Sequence, residues 1–230
     1  MPILLDFESQ SRADLKSIGG RAYWEHPSSA PLCVAWYDTR GGAVGVWQPG
    51  EAWPHHGRTL AAHNWCGFDR FAAVRAGFCD ASHAGIDTSE LARRAGYPGA
   101  LEALGERYGL PKDKAASTFT RGLSTVRRPS GKGNPNAIDA ATWATYTTEQ
   151  KRARGVLPAI TPDVMARVIP YCLRDVEIMV TAWADLSEWI DVDADVSRVD
   201  RIVNDRGVYF DASLARALLA ADERNAGEAL

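Results

Sequence analysis

The sequence predicts an α/β protein in which an antiparallel three-strand meander is followed by short strands and flanked by helices. Three observations predict it. Residues 3–8 alternate in the period of a strand. Residues 32–37 and 43–47 are apolar runs joined by the turn sequence D-T-R-G-G. After a short buried run at 59–62 the apolar spacing becomes helical from Cys66 onward, interrupted by a short strand reading at 86–88.

In the first strand Asp6 and Glu8 project from one face while Leu5 and Phe7 project from the other. The next two runs form a hairpin beside it, and 59–62 reads as a short buried strand. Residues 66–76 have helical spacing through Phe68, Phe71, Ala72 and Val74, which places Asp69 in the first turn of a helix. Residues 89–95 and 100–108 read as helices, with Asp87 a turn or capping residue ahead of Ser89. Residues 110–135 are rich in Gly, Pro, Ser and basic side chains and predict a long loop, a feature that is usually functional or disordered. Helix returns over 137–153. Thr161 and Pro162 then read as an N-cap and first helical position. Pro170 predicts a kink or a fresh helix carrying Tyr171 and Asp175, four apart on one face, with Val176, Val180, Trp183 and Leu186 as its buried stripe.

A chain of 230 residues with 46% hydrophobic content can bury a core as one large or two small domains. It has no apolar run long enough to span a membrane, and its first nine residues are too short and acidic for a signal peptide, so a soluble, cytoplasmic protein with no membrane partner is expected. Cys33, Cys66, Cys79 and Cys172 lack paired spacing and read as reduced packing residues. The formal charge of −3 is unusual for a nucleic-acid partner, yet two divalent cations in an acidic site would bring it to +1. Arg121, Arg127, Arg128 and Lys132 cluster in the long loop, and Lys151, Arg152 and Arg154 follow a helical segment. Each cluster reads either as solvated surface or as a guide for a charged strand.

The chemistry is carried by three acidic signatures in order: D-x-E at Asp6 and Glu8, N-x-x-x-F-D at Asn64, Phe68 and Asp69, and Y-x-x-x-D at Tyr171 and Asp175. With 29 acidic residues in the chain a D-x-E arises by chance roughly once. A second copy at Asp175 and Glu177 lies in a helical pattern, where positions two apart do not share a face. The middle signature is expected by chance on the order of once in a hundred such chains, and the order of all three multiplies its weight. Two carboxylates on one face of an apolar strand call for cations, and a tyrosine one turn from another carboxylate can orient water. Together they read as a two-metal phosphodiesterase site.

The segments LLDFES, AHNWCGFDR and YCLRDVE resemble the three motifs of the DEDD 3′-to-5′ exonuclease superfamily, in its tyrosine-bearing (DEDDy) branch. The flanking text resembles the N-terminal proofreading exonuclease domain of bacteriophage DNA polymerases of the family A type, over about residues 1–190. VDRIVNDRGVYFDASLARALL resembles the stretch leading into their polymerase region. The resemblance implies a ribonuclease H-like exonuclease fold over 1–195, a central mixed sheet in which parallel strands join the antiparallel three-strand meander, with 196–230 the start of a polymerase-type region or a linker helix. It implies hydrolysis of single-stranded or frayed DNA 3′ ends to deoxynucleoside 5′-monophosphates, with two cations, Mg²⁺ or Mn²⁺. Asp6, Glu8 and Asp175 would hold the ion that activates water, Asp6 would bridge to the second, and Asp69 would hold that second ion directly or through water. Tyr171 would orient the attacking water.

Ser9, Asn64, Trp65 and Phe68 are the candidate substrate-binding residues. Each has a packing or turn role as its alternative. His63 reads as a strand-end or supporting residue, since the tyrosine takes the position where other branches place a histidine base. The implied partners are DNA with a 3′ single-stranded end and a polymerase domain in the same or another chain, in the cytoplasm of a phage-infected bacterium. RNA 3′-end trimming and a catalytically silent DNA-binding or polymerase-docking domain are the alternative functions.

Overall fold

Alternation along β1 (Ile3–Gln10) divides the core in two. Ile3, Leu5 and Phe7 face one layer, where they meet Val34, Leu60, Trp24, Trp65 and Phe78. Leu4 faces the other layer with Cys33, Ala35 and Ala61, against Val168, Cys172, Val176 and Met179. A strand buried on both faces needs neighbours on both edges, and β1 has them. It pairs antiparallel with β2 (Ala30–Asp38) and parallel with β4 (Leu60–Ala62). β3 (Val44–Trp47) completes the hairpin on β2, and β5 (Ile86–Asp87) runs parallel to β4. The result is an open mixed sheet in the order β3-β2-β1-β4-β5, flanked by helices. The computed structural model describes residues 1–131, 134–207 and 210–228, so Lys132 of the basic cluster lies outside the described residues.

Helices supply the differences from expectation. No periodicity predicts one over residues 15–25, yet α1 (Leu15–Glu25) forms there, started by Asp14 accepting from the Lys16 N–H and broken internally by Gly19 at φ 75°. Its buried residues, Tyr23 and Trp24, sit together at its end, so the sequence shows no stripe. After α2 (Arg70–Arg75), α3 (Thr88–Arg94) and α4 (Leu101–Arg107), the predicted long loop contains a helix, α5 (Lys114–Gly122). Asp113 caps it, and Phe119 packs beneath the Arg167 guanidinium at 3.5 Å. The loop-like composition belongs to its flanks. The predicted helix over 137–153 is two, α6 (Ala140–Thr145) and α7 (Thr148–Arg154), because Thr147 and Gln150 form a capping box that starts the second. Pro170 starts no fresh helix: it lies inside α8 (Pro162–Ser187), where packing of Val168, Cys172, Val176 and Met179 outweighs the one missing backbone bond.

Two compact units make up the chain, Met1–Val192 and Asp193–Leu230. The second consists of α9 (Ala194–Arg206) and α10 (Ala212–Glu228), with Val199, Ile202, Leu214 and Leu218 among its exposed apolar residues. No helix among the described residues is long and apolar enough to cross a membrane.

Helix α1 lies directly against the turn that carries Asp69, and a Cβ at Gly20 would collide with the Gly67 carbonyl of that turn. Gly20→Ala should therefore cost about 1–3 kcal/mol, read as a lowered denaturant midpoint. An unchanged midpoint would show that α1 does not hold that turn.

Candidate metal centre

Asp6 and Glu8 both point from β1 toward α8, on the face that Leu4 begins. At Glu8 and Ser9 the pairing with β2 slips, from Glu8 opposite Cys33 to Ser9 opposite Pro31. Such a bulge bends the strand end and re-aims its side chains. Burial, then the neighbouring charge of Asp175, pushes the Asp6 carboxyl well above the usual range, and burial followed by Asp6 and Asp175 does the same to Glu8. The Cys172 thiol donates to the Asp6 carbonyl at 3.2 Å, and its Sγ lies 3.6 Å from Asp6 Oδ2. One ligand atom each from Asp6, Glu8 and Cys172 lies within 4.8 Å of the others.

Asp69 arrives from the next segment. Trp65–Asp69 is a single π-type turn, a wider coil than the α-helix expected there, with the Phe68 and Asp69 N–H groups both donating to the Asn64 carbonyl. The turn ends where α2 begins, so Asp69 closes it rather than opening a helix. Burial, then Asp6 and Asp87, raises its carboxyl well above the usual range. The main-chain N–H of Phe7, between Asp6 and Glu8, acts on its carboxylate and partly offsets the upward shift.

Asp175 comes from the middle of α8 and is 4% exposed. Lys112, in the turn between α4 and α5, donates from Nζ to its Oδ2 at 2.6 Å. Its Oδ1 is buried and accepts no hydrogen bond. An orphaned carboxylate oxygen costs about 1–3 kcal/mol or more unless a cation or water takes it. Burial raises the Asp175 carboxyl and Lys112 only partly offsets this. Tyr171, one turn earlier on the same face, is half-buried. Its phenol is raised by burial and Asp175 against hydrogen bonds to Lys112 and Ser117. Three separate segments thus bring four carboxylates close enough to feel one another's charge, Asp175 and Glu8 with Asp6 and Asp69 with Asp6, with the Lys112 ammonium on Asp175. Their hard oxygen donors and the unpartnered Oδ1 fit a divalent cation such as Mg²⁺ or Mn²⁺.

Beside the acids runs a groove of about 390 Å³, bordered by Glu8, Ser9, Phe68, Tyr171 and Arg121. Ser9 Oγ and the Tyr23 hydroxyl are 2.9 Å apart at its wall. Phe68 is half-buried against Tyr23 and Trp24, with ring centroids at 5.7 and 5.4 Å, and keeps an edge on the groove. Asn64 is exposed and heads the π-type turn. Trp65 requires correction. It is fully buried, its Nε1 donates to the Ala84 carbonyl at 2.9 Å, and it belongs to the core layer opposite the acids, so it offers no face to a substrate.

The chain resembles part of a phage DNA polymerase. No protein-family model matches it, but over 233 residues it is 25% identical to the DNA polymerase of Bacillus phage SP02, an alignment that takes in 96% of this chain and 33% of that protein. The chain spans about a third of the length of that relative.

Two residues of the centre carry no sequence signal. Lys112 belongs to none of the three signatures and lies in a stretch that reads as loop. Cys172 reads as packing, yet its position beside Tyr171 on the buried side of α8 brings it to Asp6. The other acids are explained without a ligand. Asp87 Oδ1 accepts the Ser89 N–H at 2.9 Å and Oδ2 accepts the Cys66 N–H at 3.0 Å, which is the capping role expected of it, and this accounts for the second cluster of Cys66, Asp87 and Glu90. His63 Nε2 donates to the Gly99 carbonyl at 3.0 Å and Nδ1 accepts from the Thr88 hydroxyl at 3.1 Å. Both nitrogens are committed and burial lowers its pKa, consistent with a supporting role.

Proposed function

We propose that this chain is a metal-dependent 3′-to-5′ exonuclease of the proofreading kind, built on a ribonuclease H-like fold and releasing deoxynucleoside 5′-monophosphates from single-stranded or frayed DNA ends. The observation that carries the reading is the gathering of Asp6, Glu8, Asp69 and Asp175 within reach of one another's charge, with Tyr171 one turn from Asp175 and a buried Asp175 oxygen left without a partner. Similarity to a phage DNA polymerase supports it. Residues 196–230 would then begin a polymerase-type region, and the partner in the same or another chain would be that region.

Two Mg²⁺ or Mn²⁺ ions bound here would supply charge neutralisation at the scissile phosphate and activation of water. The chain's own residues do the rest. Asp6, Glu8 and Asp175 form one ligand set, and Asp69, within reach of Asp6, completes a second. Tyr171 keeps its proton at neutral pH, because burial raises its phenol, so it positions water through the hydroxyl and does not act as a resting base. The groove takes the terminal nucleotides. Phe68 offers its ring, Ser9 a hydroxyl, and Arg121 and Lys16 border the path with positive charge, while Arg152 is paired with Asp14. None of these contacts reads base identity, and melting a paired end costs stacking energy that a frayed end does not.

The test is a 5′-labelled oligonucleotide ladder run on matched DNA and RNA strands, with Mg²⁺, Mn²⁺ or chelator. Stepwise shortening of single-stranded or mismatched DNA from the 3′ end, stopped by chelator and indifferent to sequence, is expected. Internal cuts, or release from the 5′ end, would overturn the polarity. Faster shortening of RNA would reassign the substrate.

A further inference from the structure

Lys112 is 13% exposed at its side chain, lies outside all three acidic signatures, and touches two members of the centre at once. Its Nζ is 2.6 Å from Asp175 Oδ2 and 4.6 Å from the centroid of the Tyr171 ring, over whose face it lies. Burying an ammonium carries a desolvation penalty that only strong pairing repays. Here the Asp175 carboxylate at 2.6 Å supplies that pairing. A compact point charge with three donors suits two partners at different heights better than the planar fork of an arginine would.

We infer that Lys112 is an internal counter-ion and positioning residue of the metal centre: by taking one oxygen of Asp175 it leaves the other for a cation, and by packing on the Tyr171 ring it sets where that side chain orients water. The inference rests on the reading of the acids as cation ligands. Four buried carboxylates without cations repel one another, and one built-in positive charge lets the pocket form before any ion arrives. Once ions are bound, the same charge is no longer needed for neutrality. Its remaining effect is geometric, on Asp175 and Tyr171. Losing it therefore has two separate consequences: a metal-free protein that is less stable and more dependent on cations, and a loaded enzyme with a slower chemical step but unaltered grip on DNA.

The experiment compares Lys112→Met and Lys112→Arg with the wild type in the full chain at one fixed pH, by melting in chelator and in Mn²⁺ and by steady-state cleavage of a single-stranded oligonucleotide. The methionine variant should melt below wild type in chelator and gain more from Mn²⁺, by about 3 °C or more beyond the wild-type gain. Its kcat should fall by about tenfold or more with KM within about threefold. The arginine variant, which keeps the charge, should show the wild-type gain from Mn²⁺. Should the methionine variant fail to fold, Lys112→Gln carries the same two expectations. A Mn²⁺ gain no larger than the wild type's overturns the counter-ion role, and an unchanged kcat overturns the positioning role. A wild type whose melting ignores Mn²⁺ sinks the metal reading itself, which keeps the two failures distinguishable.

Discussion

The Asp6→Ala, Glu8→Ala double variant is expected to lose all metal-dependent cleavage and to melt in chelator at or above the temperature of the wild type. Both side chains are held in a pocket where burial and mutual charge push their carboxyls well above the usual range, so in the metal-free protein each ionised acid opposes folding. Replacing buried ionic groups with apolar ones is commonly neutral or stabilising by about 1–4 kcal/mol. The cavity left by two truncated side chains offsets part of that gain. The wild type should overtake the variant only when Mn²⁺ or Mg²⁺ is added, because ions that bind only the folded state stabilise it by mass action. Two measurements decide it, oligonucleotide digestion and melting with and without metal. Undiminished digestion would remove Asp6 and Glu8 from the site, and a variant that melts far below wild type in chelator would make them structural.

Removing a single oxygen should also be costly. In Tyr171→Phe the ring stays against Lys112 and the helix keeps its packing, while the hydroxyl is lost. Loss of one positioned group in the chemical step typically slows turnover by about a hundredfold, within a range of tenfold to a thousandfold. Stabilisation by Mn²⁺ should persist, because the four carboxylates are untouched. Single-turnover cleavage at saturating oligonucleotide, alongside melting in Mn²⁺, reads the two effects apart. Wild-type turnover in the variant would return Tyr171 to a packing role.

Much of what positions this pocket is local and therefore legible. Alternation along 3–8 places Asp6 and Glu8 on one strand face without reference to any other residue, and the turn D-T-R-G-G brings β2 and β3 back together by its own backbone preferences. Asp87 caps α3 and Thr161 with Pro162 starts α8 through bonds that span three residues or fewer. Signals of this range survive in the sequence because the physics that creates them acts between near neighbours. The order of the three acidic signatures is likewise a property of the chain alone.

What escaped was decided by contacts distant in sequence. Helix α1 has no stripe because its two buried aromatics meet the π-type turn and the sheet, and α5 hides in loop-like text because its Phe119 finds its packing partners only in the folded core. Trp65 is next to the acids in sequence but lies in the opposite core layer, since the turn that delivers Asp69 to one layer sends its neighbour into the other. Lys112 stands 63 residues from Asp175 and 59 from Tyr171, and nothing near it in the chain records that meeting. The sequence by itself determined which acids are available, in what order, and on which local faces. Only the tertiary structure decided that a lysine from the α4–α5 turn closes the acid pocket, because a buried charge is placed by whatever opposite charge the fold brings within reach.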